Sequence, residues 1–129
     1  MSTPERTLYL IRGIPGSGKS TLAYRLTPLV FEADHYRERS GAYVFDPSEH
    51  RAAHEDCQRR TRLAMRNAQS PIAVANTFVR AWEAAAYFEM AEEHGYTVCV
   101  VEMQNRWPNV HDVPADVVAM MLDNWEPLR

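Results

Sequence analysis

A glycine-rich stretch near the amino terminus, Gly13 to Ser20, has the residue types that bind a polyphosphate. Its sequence, GIPGSGKS, matches the phosphate-loop pattern G-x-x-x-x-G-K-[ST]. The glycines let successive backbone amides point at an anion, while Lys19 can reach the β- and γ-phosphates and Ser20 can ligate Mg²⁺. The pattern predicts that a nucleoside triphosphate is bound by Gly13, Ile14, Pro15, Gly16, Ser17, Gly18, Lys19, Ser20 and Thr21.

A second group of reactive side chains, Asp34 and Arg37, follows a short apolar run at residues 29–33. An aspartate at the end of a strand can accept a hydrogen bond from a hydroxyl group and act as its base. An arginine three residues later can hold a phosphate through two hydrogen bonds. The alternative is a surface ion pair, in which Asp34 caps a turn and Arg37 pairs with it.

The hydrophobic pattern predicts the elements that position these residues. Apolar runs indicate strands at 7–11, 29–33, 72–75 and 96–103. Helical spacing and capping residues indicate helices from the phosphate loop to about 26, at 49–68, at 81–94 and from 114 onward. Alternating strands and helices predict an α/β fold of the P-loop NTPase type, a three-layer sandwich. We expect a short parallel sheet of about four strands with helices on both faces.

The whole chain sets further bounds. Its 129 residues suit one domain, 1–129. The net charge is −3, but residues 1–79 carry 11 Lys+Arg against 8 Asp+Glu, and residues 80–129 carry 3 against 9. A polyanionic substrate should therefore approach the amino-terminal half. Cys57 and Cys99 fall on separate predicted core elements and indicate reduced thiols in a cytoplasmic protein. No apolar run approaches the roughly 20 residues of a membrane span.

Several segments together resemble the kinase domain of bacteriophage-type polynucleotide 5′-hydroxyl kinases. The resemblance starts with the phosphate loop and Asp34-His35-Tyr36-Arg37. The later segments resemble the wider group of small P-loop kinases related to polynucleotide kinase; they are Asn76-Thr77, Trp82-Glu83, Tyr87 and Glu93 to Tyr96. The first resemblance implies that Asp34 is the general base and that Arg37 contacts a phosphate of the acceptor.

Two departures from that family concern charge. These kinases usually end the third strand with an aspartate that helps to hold hydrated Mg²⁺, whereas this chain has Ala75-Asn76. Asn76 can still hydrogen-bond a metal-bound water but supplies no charge. The arginine-bearing lid of the family corresponds here to the short stretch 104–112. Arg106 is its one arginine, and we predict that it neutralises transition-state charge. The alternative is a surface arginine beside a packed Trp107.

Two other groups leave alternatives open. Arg80, just past the third strand, suits either a contact to an acceptor phosphate or an exposed helix start. His50, His54 and Cys57 place zinc-ligand types on one helix face, but no fourth ligand lies nearby in the sequence, so a zinc site is not favoured.

The motifs and the resemblance together predict a Mg²⁺-requiring kinase with a nucleic acid as acceptor. The resemblance implies ATP as the donor, because no motif in the sequence distinguishes ATP from GTP. The acceptor hydroxyl would be a 5′ end or a hydroxymethyl group on a modified base in DNA. Two alternatives stay open: a kinase for a nucleoside, sugar or antibiotic, and a weakly catalytic nucleotide-binding regulatory protein. The sequence predicts no oligomeric state.

Overall fold

Four parallel strands form one sheet in the order β2-β3-β1-β4. The strands are β1 (Arg6–Arg12), β2 (Val30–Phe31), β3 (Ile72–Asn76) and β4 (Tyr96–Glu102). The computed structural model describes residues 5–38, 41, 46–104 and 113–128 of the chain. β1 lies between β3 and β4, with Leu10 opposite both Val74 and Val100. Leu8, Leu10 and Ile11 are fully buried, as the uniformly apolar sequence of a central parallel strand requires.

Among the described residues, five helices connect and cover the strands. The second of them starts at Ala33 and carries Asp34 and Arg37, so the strand expected at 29–33 is shortened to Val30–Phe31. A single 3-10 turn, Pro47–Glu49, precedes the third helix, and the Asp46 carboxylate caps it by accepting from the Ser48 amide at 3.0 Å. The helices are α1 (Lys19–Leu26), α2 (Ala33–Arg37), α3 (His50–Arg66), α4 (Ala81–His94) and α5 (Ala115–Asp123).

Apolar clusters lie on both faces of the sheet, and this confirms the predicted sandwich. On one face, Leu8, Leu10 and Val74 pack against α3 and α4 through residues such as Cys57 and Tyr87. On the other face, Ile11, Val30, Ala73 and Ala75 pack against Ala23 of α1. None of the helices in the described ranges is long and apolar enough to cross a membrane.

The structure corrects two expectations about the core. Cys99 was expected on a core element but is exposed, because β4 pairs only with β1 among the described strands and forms the edge of the sheet. The apolar run at 96–103 could not distinguish an edge strand from a central one. The third helix was expected to reach residue 68 but ends at Arg66, and Ala68 lies exposed beyond it with φ 54°.

Candidate functional site

The phosphate-loop residues link the carboxyl end of β1 to the start of α1. Gly18 precedes α1 in the left-handed conformation with φ 87°, which a residue with a side chain rarely adopts. Gly13 has a different constraint, since a Cβ added there would lie 2.1 Å from the Ser17 Oγ. The Ser17 amide donates to the Ile14 carbonyl at 3.1 Å and closes the turn between them. The loop thus has the shape that the motif predicts, with its backbone leading into a helix amino terminus.

Lys19, the first residue of α1, is nearly buried, with 8% of its surface exposed. Burial lowers its pKa, and the nearby carboxylates of Asp34 and Glu32 act in the opposite direction. The side chain lines a cavity of about 80 Å³ at the carboxyl edge of the sheet. Lys19 is therefore a desolvated cation whose charge is partly balanced by two nearby carboxylates, and the loop motif assigns it to the β- and γ-phosphates.

Asp34 and Arg37 line the same cavity from α2. The Arg37 Nε lies 3.7 Å from the Asp34 Oδ1, and the Arg37 Nη1 donates to the Asp46 carbonyl at 3.1 Å. Arg37 is only 5% exposed. The two side chains do form an ion pair, but it is not the surface pair of the alternative interpretation, because its arginine is buried beside Lys19.

Asn76, at the end of β3, also lines the cavity and is held by the protein on both sides of its amide. Its Oδ1 accepts from the Ala33 amide at 2.8 Å, and its Nδ2 donates to the Cys57 Sγ at 3.6 Å. Burial raises the pKa of Cys57 to about 11, so this thiol stays neutral. Asn76 therefore joins the end of β3 to the start of α2, one residue before Asp34. Its predicted contact with a metal-bound water stays a prediction.

Glu32 is a residue that the sequence reasoning missed. Its Oε1 accepts from the Ser20 Oγ at 2.5 Å, and its Oε2 lies 3.2 Å from the His35 Nε2. Burial alone would raise the Glu32 pKa, but the hydrogen bonds from His35 and Ser20, together with the charge of Lys19, leave it below its ordinary value. The hydrogen bond between Glu32 and His35 also raises the pKa of His35. The available signal was an acidic residue at the end of a strand, two positions before Asp34.

His50 and His54 line the cavity from α3, with ring centroids 4.4 Å apart. Burial, together with the nearby His50 and Arg37, lowers the pKa of His54 to about 4. Burial and the charge of Arg37 also lower the pKa of His50. Both rings are thus neutral near pH 7. No group of three or more possible metal ligands occurs among the residues that the structure describes, so His50, His54 and Cys57 gain no support as a zinc site.

Two arginines beside the site have structural partners. Arg12, another residue that the sequence reasoning missed, is buried and donates to the Phe78 carbonyl at 2.5 Å. Its guanidinium also lies 4.0 Å from the centre of the Trp125 ring. Arg80 donates to the Asn124 Oδ1 at 2.6 Å and to Glu126 at 3.2 Å, which joins it to the carboxyl-terminal segment. Arg106 lies outside the described residues.

Comparison with known proteins places this arrangement in a family. The model of a family described as an AAA domain, AAA_33, matches residues 8–112. The chain belongs to the AAA_33 family. This AAA_33 domain is 33% identical to human NEDD4-binding protein 2 over an alignment of 133 positions, which covers 92% of this chain and 8% of that protein. It is 32% identical to the 2′,3′-cyclic-nucleotide 3′-phosphodiesterase of Pongo abelii over 112 residues, which cover 79% of this chain and 25% of the enzyme. The chain thus spans a quarter or less of the length of these two relatives.

Solved structures of low sequence identity share the fold of this AAA_33 domain. AvrRxo1-ORF1:-ORF2 with ATP matches with a TM-score of 0.62 and 20% identity, covering 93% of this chain and 47% of that one. The Pnkp1/Rnl/Hen1 RNA repair complex matches with a TM-score of 0.57 and 14% identity, covering 95% of this chain and 38% of that one. A gluconokinase from Sinorhizobium meliloti matches with a TM-score of 0.57 and 14% identity, covering 98% of this chain and 79% of that one. The chain is a P-loop, kinase-like domain with a nucleotide-binding loop.

Proposed function

We propose that this AAA_33 domain is a kinase that transfers the γ-phosphoryl group of ATP to a hydroxyl group on a nucleic acid. The observation that carries the proposal is that Lys19, Asp34 and Arg37 line one cavity. A phosphate-loop lysine, a carboxylate and a buried arginine around one space are the parts that phosphoryl transfer to an alcohol needs. The proposal takes residues 1–129 as one kinase domain acting in the cytoplasm.

Each side chain has a role in this proposal. The residues Gly13–Thr21 bind the triphosphate, with Lys19 at the β- and γ-phosphates. Asp34 accepts the proton of the acceptor hydroxyl as the hydroxyl oxygen bonds to the γ-phosphorus and the bond to the β-phosphate oxygen breaks, releasing ADP. Arg37 holds a phosphate of the acceptor, and Arg106 adds positive charge over the transferred group.

The donor set around Ser20 suits a magnesium ion. The Ser20 hydroxyl donates its proton to Glu32 and so keeps its lone pairs for a cation. Ser20 would hold Mg²⁺ with the triphosphate, Asn76 is its proposed further contact through a water molecule, and the bound ion would neutralise charge on the phosphates.

A nucleic-acid acceptor is supported by two of the similar proteins. One relative is named for a reaction on a cyclic nucleotide, and one structural match belongs to an RNA repair complex. The acceptor would be a 5′-hydroxyl end or a hydroxymethyl group of a modified base in DNA. Positive charge concentrated in residues 1–79, which include the phosphate loop and Arg37, favours a polyanion on this side.

A small-molecule kinase is the second candidate. The cavity between Lys19 and Arg37 holds about 80 Å³, which fits a small group better than a nucleobase, and a gluconokinase shares the fold. A weakly catalytic regulatory protein is the third. It is favoured by the uncharged Asn76, whose amide is engaged by Ala33 and Cys57.

The test is transfer of labelled γ-phosphate from ATP to a panel of acceptors. The panel contains 5′-hydroxyl DNA and RNA, hydroxymethyl-base DNA, free nucleosides and gluconate. We expect label on one nucleic acid, with the rate lowered about 100-fold or more by Asp34→Asn, because the base contributes on that order. Lys19→Ala should also abolish transfer, through loss of triphosphate binding.

Glu38→Gln is the matched control, since it neutralises an exposed acid just after α2. It should leave transfer unchanged. Equal rates on nucleosides and on oligonucleotides would contradict the nucleic-acid assignment. ATP binding without transfer to any acceptor would contradict kinase activity and favour the regulatory alternative.

A further inference from the structure

The buried carboxylate of Glu32 has no role in the transfer steps above, yet it contacts the one hydroxyl assigned to Mg²⁺. We propose that Glu32 is the acidic residue of the magnesium site, which orients the Ser20 hydroxyl and accepts hydrogen bonds from the water molecules of the bound ion. This inference rests on the proposed function in taking Mg²⁺ with ATP as the bound species. Glu32 acts through Ser20 and water, so it is a positioning residue.

The direction of the hydrogen bond is the first argument. A serine hydroxyl has one proton and two lone pairs. At 2.5 Å from the Glu32 Oε1, the Ser20 Oγ donates that proton to the carboxylate. What the oxygen can then offer to a ligand is lone-pair density, which suits a cation and does not suit a hydrogen-bond acceptor. The pair therefore sets the hydroxyl in the orientation that a metal ligand needs.

The fixed position of Glu32 is the second argument. Its side chain is 8% exposed, and its other oxygen lies 3.2 Å from the His35 Nε2. A buried carboxylate is costly unless charges and hydrogen bonds compensate it. Lys19 and His35 compensate Glu32 in part. A divalent ion beside Ser20 would add positive charge next to a carboxylate that is already in place.

The neighbouring strand is the third argument. P-loop enzymes hold Mg²⁺ with the loop Ser/Thr and an acidic residue. β3 ends in the neutral Asn76, whose Oδ1 and Nδ2 bond to the Ala33 amide and the Cys57 thiol. Within the described ranges, Glu32 at the end of β2 is the carboxylate hydrogen-bonded to Ser20. The negative charge of the metal site thus comes from β2.

The test measures how much Mg²⁺ strengthens binding of a non-hydrolysable ATP analogue, by calorimetry with Mg²⁺ and with a chelator, in the absence of any acceptor. Glu32→Gln keeps an oxygen for the Ser20 hydroxyl but removes the charge. We expect it to reduce the gain from Mg²⁺ about 10- to 100-fold, as loss of a residue that orients a metal ligand does. Binding in the chelator should be unchanged or tighter, because a negative charge near the phosphates is gone. Electron paramagnetic resonance of Mn²⁺ with the analogue should show the same loss of metal affinity.

Glu38→Gln is the matched control, because it removes the charge of an exposed acidic residue just after α2 and leaves the contacts of Glu32 intact. It should retain the gain from Mg²⁺. Should Glu32→Gln fail to fold, Glu32→Ser removes the charge and leaves room for a water molecule between Ser20 and His35. An undiminished gain from Mg²⁺ in the folded variant would show that Glu32 only links Ser20 to His35, and the kinase proposal would survive. A wild-type protein without Mg²⁺-dependent binding of the analogue would overturn both proposals.

Discussion

Side chains around the cavity differ in what holds them, and this determines what they can do. The amide of Asn76 bonds to the Ala33 amide and the Cys57 thiol, so its place is fixed by the protein itself. Ser20 is fixed by one acceptor, Glu32, and keeps its lone pairs. Lys19 is nearly buried among carboxylates. A neutral residue with both groups engaged stabilises the site, whereas a hydroxyl and an ammonium with remaining capacity can bind a ligand.

At the same scale, Gly13→Ala should abolish nucleotide binding while the protein still folds. The new Cβ would lie 2.1 Å from the Ser17 Oγ and 3.1 Å from the Met103 Cβ. Ser17 is fully buried, so the phosphate loop must shift to relieve the contact. Calorimetric titration with ATP would measure the loss.

Gly95→Ala is the control for this substitution. Gly95 has φ 75° and nothing within 4 Å of an added Cβ, and it lies at the end of α4, away from the loop. It should cost stability, about 1 kcal/mol, through backbone strain and leave ATP affinity unchanged. Equal ATP affinity for wild type and Gly13→Ala would refute the steric argument.

Among the elements, β1 is joined to the carboxyl-terminal segment through Arg12. Its guanidinium donates to the Phe78 carbonyl, lies 3.5 Å from Glu102 and stacks on Trp125. We expect Arg12→Met to lower the free energy of unfolding by about 3 kcal/mol, because buried carbonyls lose their donor and an aromatic contact is lost. Urea denaturation would measure it.

Arg51→Met serves as its control on a different element. Arg51 is exposed on α3 and pairs with Glu55 at 3.0 Å in the next turn. Exposed pairs of this kind contribute less than about 1 kcal/mol. If the two variants lose similar stability, the stacked and hydrogen-bonded arginine does not join β1 to the end of the chain.

Local pattern and tertiary context contributed differently to what could be predicted. The phosphate loop, the α/β fold and the helix ending at Gly95 depend on residues close in sequence, and they were predictable. An apolar run such as that of β4 is compatible with both a central and an edge strand. The exposure of Cys99 was therefore not predictable from the sequence. Glu32 was missed because its contact with Ser20 spans 12 positions and two elements. The buried position of Arg37 likewise depends on α3 packing against α2.

For the molecule as a whole, the sheet brings the candidate residues to one edge. The phosphate loop follows β1, Glu32 and Asp34 follow β2, and Asn76 ends β3. The carboxyl ends of parallel strands are where open α/β sheets bind ligands. Residues from three strands and from α3 therefore meet although they are far apart in sequence, and their charges are coupled through one small cavity.

That coupling predicts a pH dependence of stability. The folded protein holds the pKa of His54 at about 4, through burial and the nearby His50 and Arg37, whereas an unfolded histidine has its ordinary pKa of 6.5. Below pH 6.5 the unfolded chain therefore binds a proton that the folded protein refuses until about pH 4. The stabilising contribution is present above pH 6.5 and is lost as the pH falls toward 4, by about 1–2 kcal/mol between pH 7 and pH 5.

The measurement is urea denaturation of wild type and of His54→Gln between pH 7 and pH 5. Asp34 and Lys19 also line the cavity that His54 faces. The raised pKa of His35 acts on the same stability curve in the opposite sense, since it favours the folded state at low pH. The difference in the free energy of unfolding between wild type and His54→Gln isolates the contribution of one histidine. As the pH falls, wild type should lose more stability than the variant. His94→Gln, at the end of α4 outside the cavity, controls for the loss of any histidine. A constant difference across this range would mean that His54 is protonated equally in the folded and unfolded states, and that the cavity does not exclude its charge.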